Sequence, residues 1–365
     1  MKIGFITTHQ YRNFGTFLQC YALQYVLESL GHEVEIIDYR RKEYQRGKIE
    51  RLRIWLGNIR RYPVKNLRKV QNCIRTIKRN RLFQIFYFQY FHLSSESYAT
   101  FDELKSHPPV YDLYIAGSDQ IWNPSLNGFI KAYFLTFVPE GKKTSYAPSI
   151  GITSLNEVQK RQFAILLSDY QHISCREKTG VQLLNECGIK NVVQVVDPTL
   201  LLPSSFWQSL AKKSSLSSKD NYGLAYFLSC DEEKEHIVAP LYHMLKRFDL
   251  TMDNTCNSQS ILAAGPCEFL SLIRNADFVC TDSFHGVVFS VIFQKEFYAL
   301  PRHRLDSANS QNSRIIDFLN DLGLEERWIT QPLLSRIPIH YTDANIKLQN
   351  RIKHSFDYLN RMLYD

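Results

Sequence analysis

Thr281-Asp282-Ser283-Phe284-His285-Gly286 stands between two apolar runs, Ala276 to Cys280 and Val287 to Phe293. The first run has the length and continuity of a buried parallel strand, and the second reads as the start of a helix. A histidine at such a junction sits at the carboxyl end of a strand, where open α/β sheets bind their ligands. Backbone N–H groups of the new helix would face an anion there, and the helix dipole would add favourable potential. The competing reading is a histidine that only satisfies its own turn.

Three other segments follow the same grammar, a strand that empties into polar residues. Asn13-Phe14-Gly15 lies in the loop after the first strand, just before a helix. Gly117-Ser118-Asp119-Gln120-Ile121-Trp122-Asn123 follows a second strand. There Asp119 could accept sugar hydroxyls or a proton, and Trp122 offers a flat apolar surface. In Ser174-Cys175-Arg176-Glu177-Lys178-Thr179-Gly180 a strand ends on a cation. Arg176 suits a carboxylate or phosphate, which a guanidinium grips with two parallel N–H bonds. Its structural alternative is a salt bridge between domains. Asn312-Ser313-Arg314 adds a further cation. Asp119 and Trp122 are therefore candidates for holding a sugar, with Asn13 and Gly15 in a neighbouring loop, and Arg176 for holding an anion.

The elements that must position these residues alternate. Strands are expected at Lys2–Thr7, Glu33–Ile37, Tyr111–Ala116, Thr144–Ala147, His172–Ser174 and Val192–Val196. Helices are expected at Phe17–Leu30, Leu155–Tyr170 and Lys178–Cys187. Pro198, Pro203 and the Lys/Ser run from Lys212 to Lys219 mark a break. The pattern restarts with a strand at Tyr222–Leu228, a helix from about Glu232 to Phe248, a strand near Thr251, a helix at Pro266–Asn275 and the strand before His285. Two α/β domains follow, 1–203 and 204–365, the second closing on a helix at about 343–363. Mostly parallel, Rossmann-like sheets are the expected result.

The 365 residues are 44% hydrophobic and 13% aromatic, enough for real cores. No apolar run approaches the roughly 18 to 20 residues that span a bilayer, and the first residues read as a strand rather than a signal segment. Eight cysteines come no closer in sequence than Cys256 and Cys267, a spacing for neither zinc nor a redox pair. A reduced, cytoplasmic chain is expected, with no metal. The net charge of +8 is uneven. Residues 40 to 81 hold 16 Lys or Arg against Glu43 and Glu50, a local charge of +14 that leaves −6 for the rest. Leu67, Val70, Ile74 and Ile77 recur among these cations at near-heptad spacing. One or two amphipathic helices would result. They could lie on an anionic membrane surface, bind nucleic acid, or be a solvated face over a packed stripe. A nucleic-acid partner is not expected.

Together, in order, these segments resemble the polysaccharide pyruvyl transferase family over most of the chain. Leu18-Gln19-Cys20-Tyr21-Ala22-Leu23-Gln24, Ser145-Tyr146-Ala147 and Asp197-Pro198-Thr199-Leu200 belong to the same pattern. The resemblance implies a GT-B-like fold, two α/β domains facing across a cleft. It implies transfer of pyruvate, as a cyclic ketal, from phosphoenolpyruvate to a sugar of a cell-surface polysaccharide or its lipid-linked precursor. Phosphoenolpyruvate is a co-substrate, and no other cofactor is implied. Donor binding is carried onto Arg176 and Ser283-Phe284-His285, with Gly286, Lys178 and Arg314 in support. His285 becomes the acid or base, since histidine ordinarily titrates near neutrality. Some members have an arginine where Ser283 stands here, so another cation or N–H donor must replace it. The alternatives are a GT-B nucleotide-sugar glycosyltransferase, and a membrane or RNA adaptor acting through residues 40–81.

Overall fold

A computed structural model describes residues 1–40, 63–138, 142–216, 221–229, 232–242, 245–251, 263–302, 311–333 and 335–365. Among the described residues it contains two larger parallel sheets and a two-stranded one. In the first, β1 (Lys2–Ile6), β2 (Glu33–Tyr39), β3 (Leu93–Tyr98), β4 (Leu113–Ala116) and β5 (Lys142–Ser145) lie in the order β3-β2-β1-β4-β5. A bridge from Thr144 to His172 hands the sheet on to β6 (Ser174–Cys175) and β7 (Val193–Gln194). In the second, β8 (Tyr222–Phe227), β9 (Lys246–Thr251), β10 (Phe278–Thr281) and β11 (Glu296–Ala299) lie in the order β11-β10-β8-β9. The central strands β4, β8 and β10 are buried along their whole length, as parallel strands covered on both faces must be. This is the expected GT-B-like arrangement of two α/β units.

Strand order reverses between β1 and β4 in the first sheet and between β8 and β10 in the second. At such a switch the two following loops diverge and leave a crevice. The crevices face each other because the units share one core. The helix Phe14–Ser29 is buried on nearly every side. Its Phe14 ring stacks on Phe269 of the second unit at 4.8 Å and meets the Tyr226 ring at 5.7 Å. The helix Tyr341–Tyr364, assigned by sequence to the second unit, reaches back to the first. Tyr358 Oη donates to the Ser145 carbonyl (2.8 Å), and Ser355 Oγ accepts from Val196 N (2.9 Å).

One sequence expectation fails locally. The helix predicted from Glu232 to Phe248 ends at Val238, passes through a 3-10 turn at Ala239–Tyr242, and gives way to β9. Pro240 lacks the N–H that a helix needs, and Lys246 to Thr251 pair instead with Tyr222 to Phe227. In the basic segment, residues 41–62 lie outside the described residues. The helix Pro63–Tyr90 follows, and it buries Phe83 and Phe86 while Ile74 and Ile77 face solvent. Ile74 and Ile77 therefore lie on the outer face, against the packed-stripe alternative.

Behind the loop after β1, the 2%-exposed Asp38 accepts from His9 Nε2 (3.0 Å) and pairs with Arg40. Burial pushes its carboxyl up, but the bonds from His9 and Arg40 outweigh this and hold it at about 2. A depressed carboxyl contributes stability above its unfolded value, and this is lost as pH falls through the folded one. Thermal unfolding should therefore show Asp38→Asn losing less Tm than the parent between about pH 4 and 2. Equal losses would remove Asp38 from the acid response.

Candidate active site

The facing crevices enclose a cavity of about 320 Å³. Thr8, Tyr11 and Asn13 come from the loop after β1, Thr16 from the helix behind it, and Asp119 and Gln120 from the loop after β4. Leu228 follows β8, Ser283, Phe284 and His285 follow β10, and Arg302 follows β11. Arg314 completes the wall.

His285 is the second residue of the helix Phe284–Ile292, whose N-cap is Ser283. Its Nε2 lies 3.3 Å from Asp197 Oδ2. Its Nδ1 edge lies over Gly15, so closely that a Cβ built on Gly15 would stand 2.0 Å from Nδ1. Only glycine lets the helix of the first unit slide beneath the ring. Asn13 holds that helix end in place, its Oδ1 accepting from Gly15 N (2.9 Å) and Thr16 N (3.4 Å).

Asp197 is shared. Oδ2 also accepts from Arg176 Nη1 (2.7 Å), and Oδ1 accepts from Thr199 N (3.0 Å) and Thr199 Oγ1 (2.7 Å). Burial would raise its carboxyl, yet His285, Arg176 and Thr199 together hold it well below the usual carboxylate range. Asp119 behaves alike. Burial raises its carboxyl, and Arg176 and His285, with hydrogen bonds from Thr16 and Gln120 N, lower it further. Its Oδ2 accepts from Thr8 Oγ1 (2.9 Å) and Thr16 Oγ1 (2.7 Å). Asp119 also holds φ of 75°, a left-handed backbone that costs a non-glycine residue about 1–3 kcal/mol. Strain of this kind collects where a side chain must be aimed.

The opposite wall is rich in donors. A single neutral oxygen, Gln311 Oε1, accepts from Arg302 Nη1 (2.7 Å), Arg314 Nη2 (3.0 Å) and Gln120 Nε2 (3.1 Å). Arg314 is 7% exposed and its Nε, although buried, makes no hydrogen bond. Burial first, then the neighbouring Arg176 and Arg302 cations, push its guanidinium well below the usual arginine range. Since a guanidinium stays charged in proteins, that shift measures repulsion and lost solvation. An anion beside Arg302 and Arg314 would relieve both.

The structure thus gathers His285, Ser283, Phe284, Arg314, Asn13 and Asp119 on one cavity, with Gly15 directly beneath. Arg176 stands behind it. Its guanidinium lies 4.2 Å from the Phe284 ring centroid and ion-pairs with Asp197, which makes it a brace for His285. Three expectations need correcting. Trp122 is fully buried, stacked on Phe134 at 5.6 Å, its Nε1 donating to the Tyr133 carbonyl. It presents no surface to a sugar. Gly286 N points at Ser283 Oγ (3.4 Å), and a Cβ on Gly286 would stand 2.4 Å from Thr281 Oγ1. Its role is close packing rather than anion binding. Lys178 is exposed and lies outside the cavity wall. Sequence reasoning missed Thr8, Thr16, Gln120, Gln311 and Arg302. The signal for Arg302 was present, a cation three residues past the end of β11.

A family model described as polysaccharide pyruvyl transferase matches residues 13–304. The chain belongs to that family. The matched span takes in all three segments that meet around His285, from Asn13 through Asp197 to Arg302. No curated protein matches the chain. Among solved structures, a putative UDP-N-acetylglucosamine 2-epimerase from Listeria monocytogenes is similar at 13% identity and TM-score 0.49, over 99% of this chain and 88% of its own. The UDP-GlcNAc 2-epimerase of Methanocaldococcus jannaschii is similar at 14% and 0.49, over 97% and 92%. The Escherichia coli heptosyltransferase WaaC is similar at 12% and 0.36, over 88% and 99%.

The Gly15 contact makes its own prediction. Gly15→Ala should destabilise the protein in urea unfolding by about 1–3 kcal/mol through overpacking. In a His285→Ala background most of that cost should vanish, because the ring is what the methyl meets. An equal cost in both backgrounds would refute the contact.

Proposed function

We propose that this family member transfers the pyruvyl group of phosphoenolpyruvate onto two hydroxyls of a sugar in a cell-surface glycan or its lipid-linked precursor. The observation that carries the reading is the pairing of an arginine wall, Arg302 and Arg314, with a carboxylate-braced histidine across one cavity. Phosphoenolpyruvate carries a carboxylate and a phosphate on a three-carbon skeleton, and two guanidiniums fit that charge. They also take the place of the arginine expected at Ser283, which serves instead as a helix cap.

The imidazole is held between Asp197 on its Nε2 side and Gly15 on its Nδ1 side, and His285 is the group that exchanges a proton with the donor. A first sugar hydroxyl adds to the central carbon of the donor while the methylene carbon takes a proton from His285. The hydroxyl's own proton restores the histidine. The carbon–oxygen bond to phosphate then breaks, with Arg302 and Arg314 stabilising the charge on the departing group. A second hydroxyl closes the ketal, and its proton leaves with inorganic phosphate. Asp119, ionised and aimed by Thr8 and Thr16, accepts a hydrogen bond from the acceptor sugar. Arg176 acts through Asp197 as a positioning residue.

Phosphoenolpyruvate at a hundred times its dissociation constant should stabilise the protein by about 2.7 kcal/mol, and nucleotide sugars should not. The reverse result would favour the glycosyltransferase reading. In product mass spectrometry with phosphoenolpyruvate and a panel of lipid-linked sugars, folded His285→Ala should lose about a hundredfold or more in turnover. Near-parental turnover would sink the role given to His285. Arg302→Ala should raise the donor KM, with Arg302→Lys recovering only part of it because a bidentate grip is lost.

A further inference from the structure

The helix Pro63–Tyr90 carries seven Lys or Arg and no acid. One face is firmly seated: Phe83 packs against Phe14 and Phe17, and Phe86 against Tyr21. Over residues 73–90 the other face is exposed. Ile74, Ile77, Ile85 and Phe88 are 60%, 62%, 50% and 81% exposed. At about 100° per residue these four fall within an arc of about 80°, and they run about 21 Å along the axis. Arg81 is exposed on the same arc and Lys78 is exposed at its edge. On the packed side, Arg79 adjoins Arg12 and Tyr11, and Tyr11 lines the cavity. The helix therefore runs beside the mouth of the site with its apolar stripe turned outward.

We infer that this face docks on an anionic lipid bilayer. Aliphatic side chains in a row, flanked by cations without acids, match the boundary between acyl chains and acidic headgroups. A second copy of the chain fits poorly, since two faces of like charge would meet. RNA bases stack on aromatic rings, and this stripe holds three isoleucines to one phenylalanine. The rest of the chain outside residues 40–81 is net acidic, so the attraction orients this side toward the surface. Docked in this way, the helix beside the cavity keeps the site near the headgroups, within reach of a membrane-bound acceptor. Only that last consequence, access to a lipid-linked acceptor, rests on the function proposed above.

The full chain should sediment with vesicles containing about a third phosphatidylglycerol, should not sediment with phosphatidylcholine alone, and should be released as salt rises. Ile77→Asp with Phe88→Asp, and separately Lys78→Glu with Arg81→Glu, should each weaken binding at least about tenfold. All four side chains are exposed, so thermal unfolding should match the parent. Failure to sediment with anionic vesicles, parental binding by both variants, or displacement from vesicles by RNA at physiological salt would overturn the inference. Turnover with a water-soluble sugar acceptor should be unchanged in both variants. Loss of lipid binding and loss of pyruvyl transfer are thereby read apart.

Discussion

Taking a carboxylate out of water costs several kcal/mol unless charges and hydrogen bonds replace the solvent. Asp197 is buried and yet held ionised, because Arg176, Thr199 and His285 converge on its two oxygens. Each partner comes from a different element: the end of β6, the turn after Asp197, and the first turn of the helix after β10. The requirement that this one charge be neutralised fixes the distance between the two sheets at the point where chemistry is proposed. The Phe14 to Phe269 stacking and the Gly15 to His285 approach are compatible with that spacing and with no wider one.

Much of this was legible in the sequence because parallel strands announce themselves. Apolar runs that stop at polar clusters located the loops at both switch points, and with them His285, Asp119, Asn13 and Arg314. Side-chain direction was not legible. Trp122 and Asp119 are three residues apart in one loop, and only the backbone turn at Asp119 decides that the acid faces the cavity while the ring enters the core. Arg176 was found for its position at a strand end, but nothing local indicated that its partner would be Asp197 rather than a ligand.

The errors have physical causes as well. Residues 232–248 contain helix-forming side chains, so local propensity favoured one long helix. Pro240 and the free edge of β8 overrode it, since pairing an unsatisfied strand edge outweighs weak propensity. Arg302 escaped notice because no motif surrounds it. Its importance is collective and appears only when Gln311 and Arg314 are brought beside it.

The return of the helix Tyr341–Tyr364 to the first sheet bears on the order in which the protein can be made. Val196 N and the Ser145 carbonyl, both buried, find their partners on residues 355 and 358. During synthesis the first sheet emerges with that edge uncovered, and its polar backbone must stay hydrated until the helix Tyr341–Tyr364 leaves the ribosome. The first unit therefore cannot reach its finished state ahead of the second. The carboxylate that braces His285 is adjacent to Val196, so the site acquires its rigidity only when that helix has docked.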